Sequence, residues 1–315
     1  MAQTTLYLLK NLATDVATPI PSNTTSALGR HGAAATRIRG GVTRTALTHS
    51  HWLSQLCGCE VFLKHEQTMF TGSFKERGAR NALLSLSEEE RARGVVAASA
   101  GNHALALSWH GKQLGVPVSV LMPTVAPMAK RSKCATFGAH IVVHGDTIGD
   151  AKLHAETTAP FCDMTYVNGY DDVPIIAGAG TLGLELIEQL PEGDHFDYVL
   201  VPCGGAGLLA GVSLAIKTLR PQTRVVGVEP RNCASFSHAL AVGHPDPVET
   251  TSTLADGLAV PTVGANAFEV ARAHTDDDGG SARAARARWH RGRGQPLPPR
   301  RASTHRHGAQ RHHIA

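Results

Sequence analysis

Aromatic residues make up only 5% of this chain of 315 residues. That scarcity, set beside 32 glycines, argues against a β-sandwich and for an α/β protein built around loops. No apolar run is long enough to span a bilayer. Leu6-Tyr-Leu-Leu9 lacks a positive flank and is too short for a secretory signal, and only Lys10 and Arg30 are basic before Arg37, which is poor support for a transit peptide. The six cysteines (57, 59, 134, 162, 203, 233) form no C-x-x-C and no Cys/His set at zinc spacing, so reduced thiols in the cytoplasm are expected. From Gly279 onward there is no Lys, Asp or Glu, but there are nine arginines. The formal charge of +4 therefore belongs to the tail, and the body, with 21 basic against 26 acidic residues, is mildly acidic. Neither a nucleic-acid nor a membrane partner is expected for it.

What is present is regular alternation of strand and helix. The pattern predicts strands at 59–64, 95–98, 116–122, 141–143, 165–167, 198–201 and 225–229, with helices at 74–86, 103–114, 128–137, 147–158, 174–190 and 208–219 between them. Ser87 reads as the cap of a further short helix ending at Gly94, and 33–40 as a short helix. With 42% apolar residues such βα units can bury a core between parallel sheets and helices. Residues 1–32, rich in Thr, Ser and Ala, read as a loosely ordered N-terminal arm or one that packs on a partner.

Three loops carry chemistry. Ser73 and Glu76 form a capping-box pattern that places Lys75 in the first turn of a helix, where the dipole and nearby Arg77 favour a neutral amine suited to a Schiff base. Taken alone, Lys75 reads first as a solvated lysine on a surface helix; the small residues Gly72, Gly78 and Ala79 around it turn the reading toward a site. Ser99-Ala-Gly-Asn-His103 is a second small polar loop, in which Asn102 could instead be a plain helix N-cap. Pro202-Cys-Gly-Gly-Ala-Gly-Leu208 follows a strand and opens a helix, as a phosphate cradle does. The same loop also fits a dinucleotide fingerprint with Glu229 as the ribose carboxylate, or an ordinary strand-helix turn; Lys75 and Asn102 favour the phosphate reading, since a dinucleotide enzyme has no need of them.

The run Ser-Phe-Lys-Glu-Arg-Gly-Ala, the run Ser-Ala-Gly-Asn-His and the glycine loop resemble, in order, the three motifs of the fold-type II pyridoxal-phosphate enzymes of the serine/threonine dehydratase group, over about residues 33–272. The resemblance implies a tryptophan synthase beta-like α/β fold: two open parallel-sheet domains with pyridoxal 5'-phosphate in the cleft between them. It implies a large domain of residues 33–93 and 169–278 and a small one of 94–168. Lys75 is then the catalytic residue that binds the cofactor. Asn102 meets its ring hydroxyl, and Gly204, Gly205, Ala206, Gly207 and Leu208 hold its phosphate, Ala206 standing where the family has glycine. Ser99, Gly101, Asn102 and His103 grip the substrate carboxylate. The implied activity is dehydration and deamination of L-threonine, and of L-serine, to a 2-oxo acid and ammonia by a dimer or tetramer.

Two departures sharpen the expectation. Ala100 stands where serine racemases of the family carry a hydroxyl, so racemisation is not expected. Ser235 stands where a metal-binding carboxylate is expected after Glu229, so no metal site is expected. Residues 279–315 lack the family's late Ser-Gly-Gly-Asn and resemble a GC-rich coding region read out of frame; a disordered Arg/His tail, with His305, His307, His312 and His313 solvated rather than metal-bound, is expected. The rival readings are an NAD-type oxidoreductase and a catalytically impaired pyridoxal-phosphate-binding protein with a damaged C-terminus.

Overall fold

A computed structural model describes residues 5–10, 24–190 and 194–276. The expectations for the tail from 279 lie outside these residues. Nine strands form two sheets: β1 (Thr5–Lys10), β2 (Leu47–His49), β3 (Glu60–His65), β8 (Tyr198–Pro202) and β9 (Arg224–Val228) in the order β2-β3-β1-β8-β9, and β4 (Val95–Ala98), β5 (Val118–Met122), β6 (His140–Val143) and β7 (Thr165–Tyr166) in the order β6-β5-β4-β7. The helices are α1 (Thr24–Ile38), α2 (His51–Cys57), α3 (Lys75–Leu84), α4 (Glu88–Arg93), α5 (Asn102–Leu114), α6 (Met128–Thr136), α7 (Ile148–Thr157), α8 (Val173–Glu188), α9 (Gly207–Leu219), α10 (Ser235–Val242) and α11 (Ala265–His274).

The four-stranded sheet is parallel throughout, as βα alternation requires. The five-stranded sheet is mixed: β8 and β9 run parallel, but β1 is antiparallel to both β3 and β8, and β2 is antiparallel to β3. Parallel strands throughout, as the βα pattern suggested, hold for one sheet only. The arm reading of 1–32 also needs correction. Residues 5–10 form the central strand of the larger sheet, with Leu8 wholly buried, and helix α1 begins at Thr24 rather than 33. A six-residue strand with no partner strand nearby in sequence gives no local signal of where it will pair.

Helix α8 fixes the helices that carry the site. It packs on α9 where Gly211 approaches so closely that a Cβ there would lie 2.5 Å from the Ile176 carbonyl oxygen. On its other side a Cβ on Gly178 would lie 2.5 Å from the Arg77 carbonyl oxygen of α3. Only glycine permits backbone contact at both places. The same joint holds a buried charge network. Arg77 makes paired bonds to Glu66 (2.8 and 2.9 Å) and to Glu185 (2.6 and 2.9 Å), while Lys64 donates to Glu185 (2.7 Å), Gln189 (2.8 Å) and the Thr45 carbonyl (2.9 Å). Two cations meet two carboxylates, so no charge is left unpaired.

Candidate active site

The three loops lie after the C-terminal ends of β3, β4 and β8, where open α/β sheets place ligands. Lys75 opens α3. Phe74 is the cap and makes no side-chain capping bond; Ser73 accepts a 3.4 Å bond from the Lys75 N–H, and Glu76 reaches back past Ser73 to the Thr71 N–H. The capping box expected of Ser73 and Glu76 is therefore replaced by a wider loop closed by Glu76.

The Lys75 amine donates to the Gly169 carbonyl and has no carboxylate partner among the described residues. Burial alone lowers its pKa to about 8. The guanidinium of Arg77, expected to assist, is instead neutralised by Glu66 and Glu185. Part of the Lys75 side chain remains accessible, while its amine end is enclosed.

His103 lies against the same carbonyl turn, since a Cβ on Gly169 would meet its ring at 2.6 Å. Its Nε2 sits 3.0 Å from the Val167 carbonyl, which makes Nε2 the protonated nitrogen and leaves Nδ1 buried without a partner. Burial, then the charge of Lys75, lower its pKa to about 4 against the raising effect of Val167, so the ring is neutral. A neutral ring presenting a bare Nδ1 cannot donate to an anion. If His103 grips a carboxylate it does so through its main-chain N–H, which with those of Asn102 and Ala104 lacks an intrahelical acceptor at the start of α5. Gly101, not Asn102, is the N-cap, so the capping alternative for Asn102 fails; the Asn102 side-chain amide makes no hydrogen bond among the described residues. Ser99 Oγ accepts from the Gly101 N–H at 3.3 Å and shapes the turn.

The glycine loop opens α9. Ala206 has φ 68°, the one non-glycine residue in the left-handed region among those described. The methyl group thus sits where glycine is preferred. Gly204, Gly205, Gly207 and Leu208 keep main-chain N–H groups that donate to no carbonyl among the described residues, and Ala206 N–H points at the Cys203 thiol.

Gly169 and Tyr170, which the motifs missed, join the loops. A Cβ on Gly205 would fall 2.4 Å from the Tyr170 ring, and one on Gly207 would fall 2.2 Å from its carbonyl oxygen. The turn is rigid: Asn168 Oδ1 accepts from Tyr170 and Asp171 N–H, and Asp171 caps α11 through Ala265 and Ala267 N–H. Asn168-Gly169 followed by Asp171, Asp172 and Pro174 was a legible turn-then-helix signal. Glu229, the candidate ribose carboxylate, is spent on α10, accepting from Phe236 N–H (2.7 Å), Ser237 N–H (2.9 Å) and Ser237 Oγ (2.7 Å). The dinucleotide reading loses its acidic residue.

An enclosed lysine amine, a small polar turn and a glycine loop at a helix start are thus brought together by the 168–172 turn. The family model for pyridoxal-phosphate dependent enzymes matches residues 38–293, and the chain belongs to that family. It is 42% identical over 240 residues to an L-threonine ammonia-lyase of Thermotoga maritima, a match covering 76% of this chain and 59% of the relative. It is 39% identical over 241 residues to the catabolic L-threonine dehydratase TdcB of Escherichia coli, covering 76% of this chain and 72% of that protein. The chain thus spans about three fifths of the first relative's length. Among solved structures, threonine deaminase isoform 2 of Solanum lycopersicum superposes with TM-score 0.75 at 32% identity, covering 85% of this chain and 77% of that one. Maize serine racemase gives TM-score 0.75 at 32% identity, covering 79% and 74%. The fold is that α/β, fold-type II architecture.

Proposed function

We propose that this chain catalyses the pyridoxal-phosphate-dependent dehydration and deamination of L-threonine, and of L-serine, to a 2-oxo acid and ammonia. The observation that carries the reading is the Lys75 amine, enclosed, free of carboxylates and poised near pH 8 at the meeting point of the three loops. The residues present fit the cofactor: Lys75 would hold it covalently, Asn102 offers an uncommitted amide, and Gly204, Gly205, Gly207 and Leu208 offer free N–H donors at the α9 N-terminus. When bound, pyridoxal phosphate supplies the electron sink that makes a proton on the substrate's α-carbon removable. Lys75 Nζ, once freed by the substrate amine, is the base that takes that proton. The N–H groups of Asn102 and His103, with the turn held by Ser99 and Gly101, orient the substrate carboxylate. That proton and the substrate's β-hydroxyl leave together as water, and hydrolysis of the unsaturated amine that results gives the 2-oxo acid and ammonia; Ala100 offers no second proton donor that could return a proton to the α-carbon from the other face.

The two sheets support a division into a small domain, 94–168, and a large one, 33–93 with 169–278, to which the strand 5–10 and the helix from Thr24 must be added. A homo-oligomer, dimer or tetramer, in the cytoplasm remains part of the proposal, in keeping with the free cysteines of the described residues. Among those residues no helix is long and apolar enough to cross a membrane, and no group of three or more His, Cys, Asp or Glu side chains is placed to hold a metal ion. The test is to add pyridoxal phosphate to the purified full chain, reduce with borohydride and map the peptides, then assay 2-oxo acid from L-threonine. A label on Lys75 and 2-oxobutanoate are expected; a label elsewhere, or no bound cofactor, overturns the reading. With L-serine the product is pyruvate without D-serine, and any D-serine overturns the role given to Ala100.

A further inference from the structure

Next to Lys75 in sequence lies a buried pair that the proposed reaction does not use. Glu76 on α3 and His110 on α5 are 2% and 0% exposed, with His110 Nε2 3.3 Å from Glu76 Oε2. The other carboxylate oxygen of Glu76 accepts from the Thr71 N–H at 2.5 Å, closing the loop that leads into Lys75. On the far side of the imidazole, Arg80 Nη1 lies 3.4 Å from His110 Nδ1. Arg80 donating to Nδ1 leaves the proton on Nε2, which faces Glu76 across the 3.3 Å charge contact without completing a hydrogen bond, while the Thr71 N–H donates to the other oxygen, so His110 and Thr71 converge on the Glu76 carboxylate from two sides. Burial works to raise the Glu76 pKa, but His110 and the bonds from Thr71 outweigh it and hold the group below its usual range as a carboxylate.

This contact links two helices whose N-termini carry the site. Lys75 opens α3 and Asn102 opens α5, and His110 lies two turns further along α5. A second contact runs beside it: Phe70, just before the lysine loop, stacks at 4.0 Å on Trp109, the neighbour of His110. The lowered pKa of Lys75 has burial as its cause, so Glu76 acts on it through the backbone rather than through its charge. A buried ionisable pair adds little stability over apolar residues of equal volume; what it adds is direction.

We propose that Glu76 and His110 are positioning residues, which hold the Thr71–Lys75 loop at a set distance from the α5 N-terminus and so place the lysine amine relative to Asn102 and His103. The proposal rests on the lyase activity proposed above. The decisive variant is Glu76→Leu/His110→Leu, which fills the space with apolar side chains and is expected to stay folded, melting below wild type only by the loss of the acceptor for the Thr71 N–H. Its affinity for pyridoxal phosphate, read by equilibrium dialysis, and its kcat on L-threonine are each expected to fall about 10- to 100-fold, with KM moving less than about threefold. Glu76→Gln, which keeps an acceptor for Thr71, should recover most of both. The single alanine variants should be as impaired as the double alanine variant, because the pair acts as a unit. A Leu/Leu variant with wild-type affinity and kcat overturns the positioning role, as does a Gln variant no better than Glu76→Ala. Wild-type protein that binds no pyridoxal phosphate overturns the lyase reading itself, and this proposal with it.

Discussion

Ala206 shows how much one methyl group decides. Holding an alanine at φ 68° costs about 1–2 kcal/mol relative to glycine. The same methyl is buried in the core of the larger sheet, worth about 0.8 kcal/mol, and a glycine would loosen the unfolded chain by a further ~0.5–1 kcal/mol. These effects nearly cancel, so Ala206→Gly should shift stability by less than about 1 kcal/mol in urea melts. Ala206→Val should cost at least about 2 kcal/mol, because a β-branched residue tolerates that backbone least and overfills a close-packed site. Equal stability for the Val variant would show that the loop relaxes to negative φ. The identity of this residue was legible in the glycine motif, and its consequence was not, because φ is decided by the turn from β8 into α9.

Among the elements, α3, α8 and β3 are locked together by Arg77, Glu66, Glu185 and Lys64. Arg77→Met leaves two carboxylates in a buried site with only Lys64 to balance them, and should destabilise by about 3–5 kcal/mol. Burial would pull the Arg77 pKa down, and the two carboxylates more than reverse it, so Arg77 stays charged at any working pH. A loss below about 1 kcal/mol, measured by denaturant titration, would mean that water reaches Glu66 and Glu185. At the far end of the glycine loop, Asp171 caps α11 with both carboxylate oxygens. Asp171→Ala should cost about 0.5–2 kcal/mol and raise hydrogen exchange at 265–267 first. Exchange rising uniformly would show that the cap does not act locally.

For the whole molecule, the site leaves a signature in stability against pH. His103 titrates at about 4 when folded and near 6.5 unfolded, so the unfolded chain binds more protons between those values and stability falls as pH drops from 6.5 to 4. Lys75 titrates at about 8 when folded and near 10.5 unfolded. Its burial cost is complete below pH 8 and is relieved as pH rises to 10.5. Cofactor-free Lys75→Met should therefore be more stable than wild type at pH 7, by on the order of 2–4 kcal/mol, with the difference gone above about pH 10.5. Thermal melts across pH would settle it; a Met variant no more stable at pH 7 means the amine is hydrated.

The sequence by itself determined most of the helices and strands from 59 to 229 and the three motifs, because apolar period, caps and glycine punctuation act over a few residues. The Ser87–Glu90 capping box and the left-handed Gly115 and Gly138 stand where local pattern put them. Tertiary structure alone decided that residues 5–10 enter the middle of the larger sheet. It also decided that Arg77 answers Glu66 and Glu185 rather than Lys75, that His103 turns a bare nitrogen inward, and that Gly169 and Tyr170 join the lysine to the glycine loop. Each of these depends on partners tens to hundreds of residues away, and a side chain's protonation and direction follow from what burial places beside it, which no local pattern contains.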